Sequence, residues 1–159
     1  MSWPTSNKAL SANELRRAAI DLLARRDYSR YELWQKLSVK AVDANELEHV
    51  LDDLSERQWQ SDARFARLFL SSSQQRGHGP LRIQQGMRQK GIASAEIDVA
   101  FAEADVDWCA LAMRVVQKKA ATLPDLNQKS REKLYRFLAS RGFDGEHIRV
   151  AMTSLSESE

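Results

Sequence analysis

Apolar residues recur along the chain with the spacing of α-helices. In residues 15–23, leucine and alanine occupy positions i, i+3, i+4, i+7 and i+8, which places them on one helical face. Comparable stripes occupy residues 47–54, 65–69, 108–116 and 148–155, whereas the alternating pattern typical of strands is absent. The pattern therefore predicts an all-α protein.

The stripes also recur at long range. A shift of 50 residues places Leu33 on Ile83, and a further shift of 51 places Ile83 on Leu134. The same register aligns three more sets of positions: Leu37, Met87 and Leu138; Leu47, Ile97 and Ile148; Gly91 and Gly142. A period of this length is typical of repeat proteins, in which stacked neighbours complete the core. We therefore predict an elongated array of three tandem three-helix repeats, with about nine helices.

The repeat register also predicts where the units begin and end. We expect a flexible tail over residues 1–12, repeats over 13–57, 58–105 and 106–155, and a second tail over 156–159. The expected helices are 13–26, 29–39, 43–57, 61–75, 80–90, 94–104, 106–121, 127–141 and 145–155. The expected N-caps are Ser29 (with Glu32 in a capping box), Asp43, Ser61 and Ser94.

The segment RGHGPLRIQQGMRQKGI, residues 76–92, has two interpretations. A glycine-rich phosphate loop follows a strand, but the residues before Gly77 form a helical stripe. Gly79 and Pro80 instead suit the N-cap and first position of a helix, and Gly91 suits its left-handed end. We favour the second interpretation, in which glycine and proline mark the start and the end of a helix. The alternative is an anion bound at this helix N-terminus. Gly86, inside the predicted helix, has no explanation from the sequence beyond close packing.

Catalytic and metal-binding patterns are missing from the chain. Its one cysteine, Cys109, cannot form an internal disulfide, and its spacing suits a small core residue. Glu46 and His49 have the spacing of a di-iron helix, but no second copy exists. No apolar run approaches the roughly 20 residues of a membrane span, and no secretion signal is recognisable. We expect a cytoplasmic, monomeric protein that is not an enzyme and binds no cofactor or metal.

Charge is sorted along the repeat, although the net charge is only +2. Residues 43–56 carry six acids and 94–107 carry five, with no lysine or arginine in either block. Residues 57–91 carry seven basic residues against one acid, and 114–141 carry eight against two. Solvated faces with internal ion pairs are one interpretation; a basic surface for an anionic partner is the other. The candidate contact residues are Arg25, Arg26, Arg30, Lys36, Arg64, Arg67, Arg76, Arg82, Arg88, Lys90, Arg131, Lys133 and Arg136.

The aromatic residues are few, and their spacing favours packing. The phenylalanines expected in the core are Phe65, Phe69, Phe101 and Phe137. Trp34 and Tyr135 each follow a predicted core position, which favours half-buried side chains over exposed contacts.

Three stretches carry motifs similar to those of a known family. They are LLARRDYSRYELWQKL (22–37), SDARFARLFLSSSQQRGHGPLRIQQGMRQKGI (61–92) and DWCALA (107–112). Through them the chain resembles the RecX family, regulators of the bacterial recombinase RecA, over nearly all its length after residue 12. It departs from the family pattern at Gln60-Ser61, where Leu-Asp is usual, and at Gly86, where Glu is usual.

The resemblance implies a non-enzymatic protein of tandem three-helix repeats that lies along the RecA–single-stranded DNA filament. It implies inhibition of the filament's ATP hydrolysis, strand exchange and coprotease activity. The alternative from the residues alone is a protein that binds single- or double-stranded DNA directly through its helical repeats.

Overall fold

A computed structural model describes residues 9–157, and within them it contains nine α-helices and one isolated bridge. The helices are α1 (Ala12–Arg25), α2 (Arg30–Ser38), α3 (Ala44–Glu56), α4 (Asp62–Gln75), α5 (Pro80–Gln89), α6 (Ser94–Ala104), α7 (Trp108–Ala120), α8 (Gln128–Ser140) and α9 (Gly145–Glu157). This confirms the all-α fold and the nine predicted helices.

Each set of three consecutive helices encloses its own hydrophobic core; we call these sets unit 1 (α1–α3), unit 2 (α4–α6) and unit 3 (α7–α9). Leu33, Ile83 and Leu134, which the repeat register aligns, are at most 1% exposed, and each lies in a different core. Trp108 packs partly against the cores of both unit 2 and unit 3. The fold is therefore a tandem array whose units share little apolar contact.

Most of the predicted helix caps are confirmed. Ser29 and Glu32 form the predicted capping box, and Asp43 and Ser61 accept hydrogen bonds at the starts of α3 and α4. The prediction for Ser94 is wrong, because Ala93 has the extended N-cap conformation and Ser94 is the first helical residue.

The first unit begins earlier than predicted. The sequence predicts a tail through residue 12, but Ser11 caps α1 in a capping box with Glu14, which sequence reasoning missed. Leu10 packs against the first core, and its N–H donates to the Lys40 carbonyl at 2.6 Å. At the other end, α9 continues through residue 157, into the predicted C-terminal tail. The rest of the predicted tails, residues 1–8 and 158–159, lies outside the described residues.

Gly86 has a packing explanation that the sequence could not supply. A Cβ built at Gly86 would lie 2.7 Å from the ring carbon Cζ of Phe69. The Phe69 ring also stacks on Phe65, with 5.9 Å between the ring centroids. Glycine at residue 86 therefore lets α4 and α5 approach closely enough for this aromatic pair to cover the core.

The middle helices of the three units meet end to end. At the start of α5, the N–H groups of Gly79 and Leu81 donate to the carbonyls of Arg141 and Gly142 at 2.7 and 2.9 Å. Arg141 is the C-cap of α8, so the end of one middle helix satisfies the start of another. These bonds occupy the N-terminus of α5 with backbone carbonyls, which argues against the alternative of an anion site there.

The same arrangement recurs between units 1 and 2. The Ser29 hydroxyl, at the start of α2, donates to the carbonyl of Lys90, the C-cap of α5, at 2.7 Å. Gly91 and Gly142 have φ values of +76° and +94° and end their helices in the left-handed conformation, as predicted. Helices α8, α5 and α2 thus form one end-to-end stack, which we call the middle-helix column.

Among residues 9–157, ion pairs between side chains reinforce the first of these two junctions and not the second. Glu32, on α2, accepts from Arg26 at 3.0 Å and from Lys90, on α5, at 3.2 Å. Arg64 on α4 donates to Asp27 at 2.7 Å across the same boundary. Units 1 and 2 are therefore joined by a network of partly buried ion pairs as well as by the helix ends.

The environment of Glu32 favours its ionised form. Burial alone would raise the pKa of this carboxyl, but hydrogen bonds from Arg26, from the Ser29 N–H and from Lys90 outweigh it, so the pKa lies below the ordinary 4.5. A carboxyl whose pKa is lower in the folded state stabilises the fold at neutral pH. That contribution disappears as the pH falls below 4.5 toward the folded-state pKa.

Replacing Gly142 by alanine should loosen the junction between units 2 and 3. A Cβ at this position would overlap Cβ of Arg82, and the alanine would have to adopt a left-handed backbone. The backbone strain alone costs about 1–2 kcal/mol. We expect a lower free energy of unfolding and faster amide hydrogen exchange at Leu81, whose N–H loses its acceptor.

Gly145→Ala is the matched control, because a Cβ there meets no atom within 4 Å. Equal stability and equal exchange at Leu81 in the Gly142 and Gly145 variants would contradict the end-to-end junction.

Replacing Glu32 by glutamine should remove an acid-labile part of the stability. We expect Glu32→Gln to be less stable than the parent by about 1–2 kcal/mol at pH 7, because it loses charged hydrogen bonds. The difference should shrink as the pH falls through the range below 4.5, where the parent protonates Glu32. Urea unfolding at several pH values measures it.

Glu103→Gln serves as the control, because the ion pair between Glu103 and Arg67 is exposed and 3.9 Å long. Such a pair is worth less than about 1 kcal/mol. A pH-independent loss in Glu32→Gln would show that the carboxylate charge is not what joins the units.

Candidate anion-binding surface

Four of the predicted contact residues form ion pairs within the molecule, although their side chains are only partly buried: Arg26, Arg30, Arg64 and Lys90. Besides its ion pair with Asp27, Arg64 donates to the carbonyls of Gln58 and Trp59, both at 3.0 Å. Arg30 pairs with Asp52 at 2.7 Å, and the Arg26 guanidinium lies 3.6 Å from the ring centroid of Tyr28. These cations brace unit 1 and its boundary with unit 2.

The other predicted residues have a different environment. Arg67 forms a long, exposed pair with Glu103, and Arg131 is half-buried. The remainder are exposed and form no ion pair within residues 9–157: Arg25, Lys36, Arg76, Arg82, Arg88, Lys133 and Arg136.

The middle-helix column carries most of these exposed cations. Lys36 lies on α2, Arg82 and Arg88 on α5, and Lys133 and Arg136 on α8. Because the three helices stack end to end, the repeat places basic side chains along the whole length of one structural element. The column is therefore the candidate surface for an extended anionic partner.

Ion pairs are distributed unevenly among the three units. The acidic helix α3 is partly neutralised within unit 1, where Asp53 pairs with Arg16 and Arg57. In contrast, no lysine or arginine of α7–α9 lies within ion-pair distance of a carboxylate in the described part of the chain. Internal pairing thus explains much of the charge sorting in unit 1, and leaves the positive charge of unit 3 uncompensated.

The structure agrees with the predicted environment of most of the aromatic residues and differs at Tyr135. Phe65 is buried, Phe69 and Phe101 pack against the core of unit 2, and Trp34 is half-buried as expected. Tyr135 is 51% exposed on α8, so the prediction of a half-buried ring there is wrong.

Phe137 is also placed differently from the prediction. It is half-buried beside the third core rather than within it. Lys119 and Arg141 lie 5.1 and 4.8 Å from its ring centroid. The ring therefore packs with cations, an arrangement worth about 0.5–1 kcal/mol at an exposed site.

Sequence reasoning missed a group of basic residues where units 2 and 3 meet: Arg114, Lys118, Lys119 and Arg141. The spacing of Arg114 and Lys118 by four residues was the available signal, since it places both on one face of α7. Nearby, burial and the positive charges of Arg82, Arg76 and Arg141 lower the pKa of His78. Positive potential therefore accumulates at this boundary.

Other site chemistries find no support in residues 9–157. No group of three or more His, Cys, Asp or Glu side chains there could hold a metal ion, and no helix is long and apolar enough to cross a membrane. Burial raises the pKa of the Cys109 thiol, which disfavours the reactive thiolate.

Comparison with known proteins supports the repeat structure over most of the chain. Family models for the first, second and third three-helix domains of RecX match residues 16–54, 61–104 and 105–152. Regulatory protein RecX of Acinetobacter baylyi is 40% identical over 153 residues, which cover 96% of this chain and 95% of the relative. Regulatory protein RecX of Halorhodospira halophila is 34% identical over 97% of this chain and 96% of its own.

Solved structures agree on the fold. The crystal structure of RecX from Lactobacillus salivarius superposes with a TM-score of 0.80 at 18% identity, over 91% of this chain and 96% of that one. Since three consecutive domain models and nearly full-length relatives agree, this chain belongs to the RecX family of regulatory proteins.

Proposed function

We propose that this chain binds the RecA–single-stranded DNA filament and inhibits its ATP hydrolysis, strand exchange and coprotease activity. The observation that carries the proposal is the nearly full-length similarity to proteins named regulatory protein RecX. The chain acts in this proposal as a cytoplasmic monomer that binds without catalysing a reaction.

The geometry of the fold suits an extended partner. A helical filament presents the same surface at regular intervals, and a tandem array presents similar units at intervals of its own. The middle-helix column runs through all three units and carries exposed cations on each of its helices. In this proposal the column faces the filament, and its charges speed encounter with acidic protein surface or with phosphates.

The contact set is narrower in the proposal than in the sequence prediction. Cations already paired across the first junction cannot be freed without disrupting the fold, since Arg64 alone holds one carboxylate and two carbonyls. The proposed contacts are therefore the cations of the predicted set that lack a close internal pair: Arg25, Lys36, Arg67, Arg76, Arg82, Arg88, Arg131, Lys133 and Arg136.

Reversing charges on the column should weaken inhibition while preserving the fold. We expect the triple variant Arg88→Glu, Lys133→Glu, Arg136→Glu to need at least about tenfold more protein for half-inhibition, which corresponds to about 1.4 kcal/mol. The assay is ATP hydrolysis by RecA on single-stranded DNA, titrated with parent or variant.

A control with the same change in net charge is Arg17→Glu, Lys40→Glu, Arg149→Glu, at three exposed positions outside the contact set. Equal inhibition by parent and column variant would remove the column from the interface. Failure of the parent itself to inhibit would overturn the proposed function.

A further inference from the structure

A cavity of about 430 Å³ lies at the boundary between units 2 and 3. Unit 2 contributes Arg76 and Gly77 from the end of α4, and unit 3 contributes residues of α7 and α8. Its volume is in the range of small-molecule sites. The cavity is therefore large enough for a compact ligand and draws its walls from two units.

The lining of the cavity is positively charged and contains no acid. The charged lining residues are Arg76, Arg114, Lys118, Lys119 and Arg141. In the described part of the chain, none of these five pairs with a carboxylate. Convergent like charges repel one another at a cost in stability, which an anionic ligand would offset.

At the first junction, the cations are paired with acidic residues of the protein. There, Arg26 and Lys90 converge on Glu32, and Arg64 meets Asp27. The second junction is made by backbone hydrogen bonds where the first uses the Ser29 hydroxyl, and its cavity lacks such acids. Lys119 and Arg141 pack with the Phe137 ring, whereas Arg76, Arg114 and Lys118 have no acidic partner in the described part of the chain and remain available to a ligand.

The cavity also has an apolar wall. Leu111 and Val115, on α7, and the half-buried ring of Phe137, on α8, line it. Several cations next to an apolar and aromatic surface suit a ligand that joins negative charge to a flat, weakly polar ring. Nucleotides have this composition, because each combines phosphate with a base.

We propose that this cavity binds a nucleotide, with its phosphate among Arg76, Arg114 and Lys118 and its base against Leu111, Val115 and Phe137. The same chemistry is supplied by a free nucleoside polyphosphate and by one nucleotide of a single strand. The inference goes beyond inhibition of RecA, because it assigns this chain a nucleotide site of its own, whose occupancy can be measured without RecA.

The test uses the full chain and two probes, ATP and a fluorescein-labelled oligothymidylate, with binding followed by calorimetry and fluorescence anisotropy. The cavity variant is Arg114→Glu, Lys118→Glu, at two exposed positions without ion pairs among the described residues. We expect its affinity to fall at least about tenfold for the probe that binds. With the oligonucleotide, the slope of log affinity against log salt should become shallower by about 0.7, the value for the one strand phosphate that the variant no longer neutralises.

The matched control is Arg17→Glu, Lys40→Glu, which changes the net charge equally on exposed residues of unit 1. Cavity-dependent binding of ATP that displaces the oligonucleotide would identify a free nucleotide as the ligand. Cavity-dependent binding of the oligonucleotide alone would identify a strand.

Three outcomes would overturn the proposal. Equal losses in cavity and control variants would mean unspecific attraction, and no binding of either probe would mean an empty cavity. Cavity-dependent binding of poly-glutamate, with neither nucleotide probe bound, would assign the site to an acidic peptide. None of these outcomes bears on the RecA titration, so the two proposals fail independently.

Discussion

The end-to-end contact between middle helices is the constraint on which the rest of this structure depends. Each unit buries its own core, so little apolar surface remains to join one unit to the next. The connection is made instead by the polar groups that every helix leaves unsatisfied at its ends. A left-handed glycine after the C-cap, Gly91 or Gly142, lets the two helix ends come close enough to pair. Without that glycine, Cβ atoms would hold the units apart.

The two junctions differ in the interactions that accompany this contact. The first adds partly buried ion pairs centred on Glu32, which link the two units and engage their cations within the protein. The second relies on backbone hydrogen bonds, and its cations remain available. A single repeated geometry therefore yields one rigidly braced boundary and one boundary with free positive charge. This division limits the candidate surface to the cations without a close internal pair, most of which lie on the column.

The sequence predicts the features that recur with the repeat, such as core positions, but it does not predict which side chains contact one another. The alignment of Leu33, Ile83 and Leu134 follows from helical spacing, because a core position repeats wherever the unit repeats. The structural role of Arg64 could not be predicted, since the sequence does not show which carboxylate faces a given cation. The cavity could not be predicted either, because its walls come from residues 75–77 and 111–141, which are adjacent only after stacking. Phe137 matched the core spacing, and only the packed neighbours show that cations lie beside it.

The pairing of Leu10 with residues 40–42 occupies the end of the middle-helix column in unit 1. In the repeat register, the Lys40 carbonyl corresponds to the carbonyls of Lys90 and Arg141, which accept the start of the preceding middle helix. Leu10 donates to it, and its own carbonyl accepts from Val42. The chain thus occupies, with its own N-terminal segment, the acceptor to which a further unit would bind. Head-to-tail contacts that do not close generate open polymers; here the acceptor at this end of the column is already hydrogen-bonded to an extended segment of the same chain.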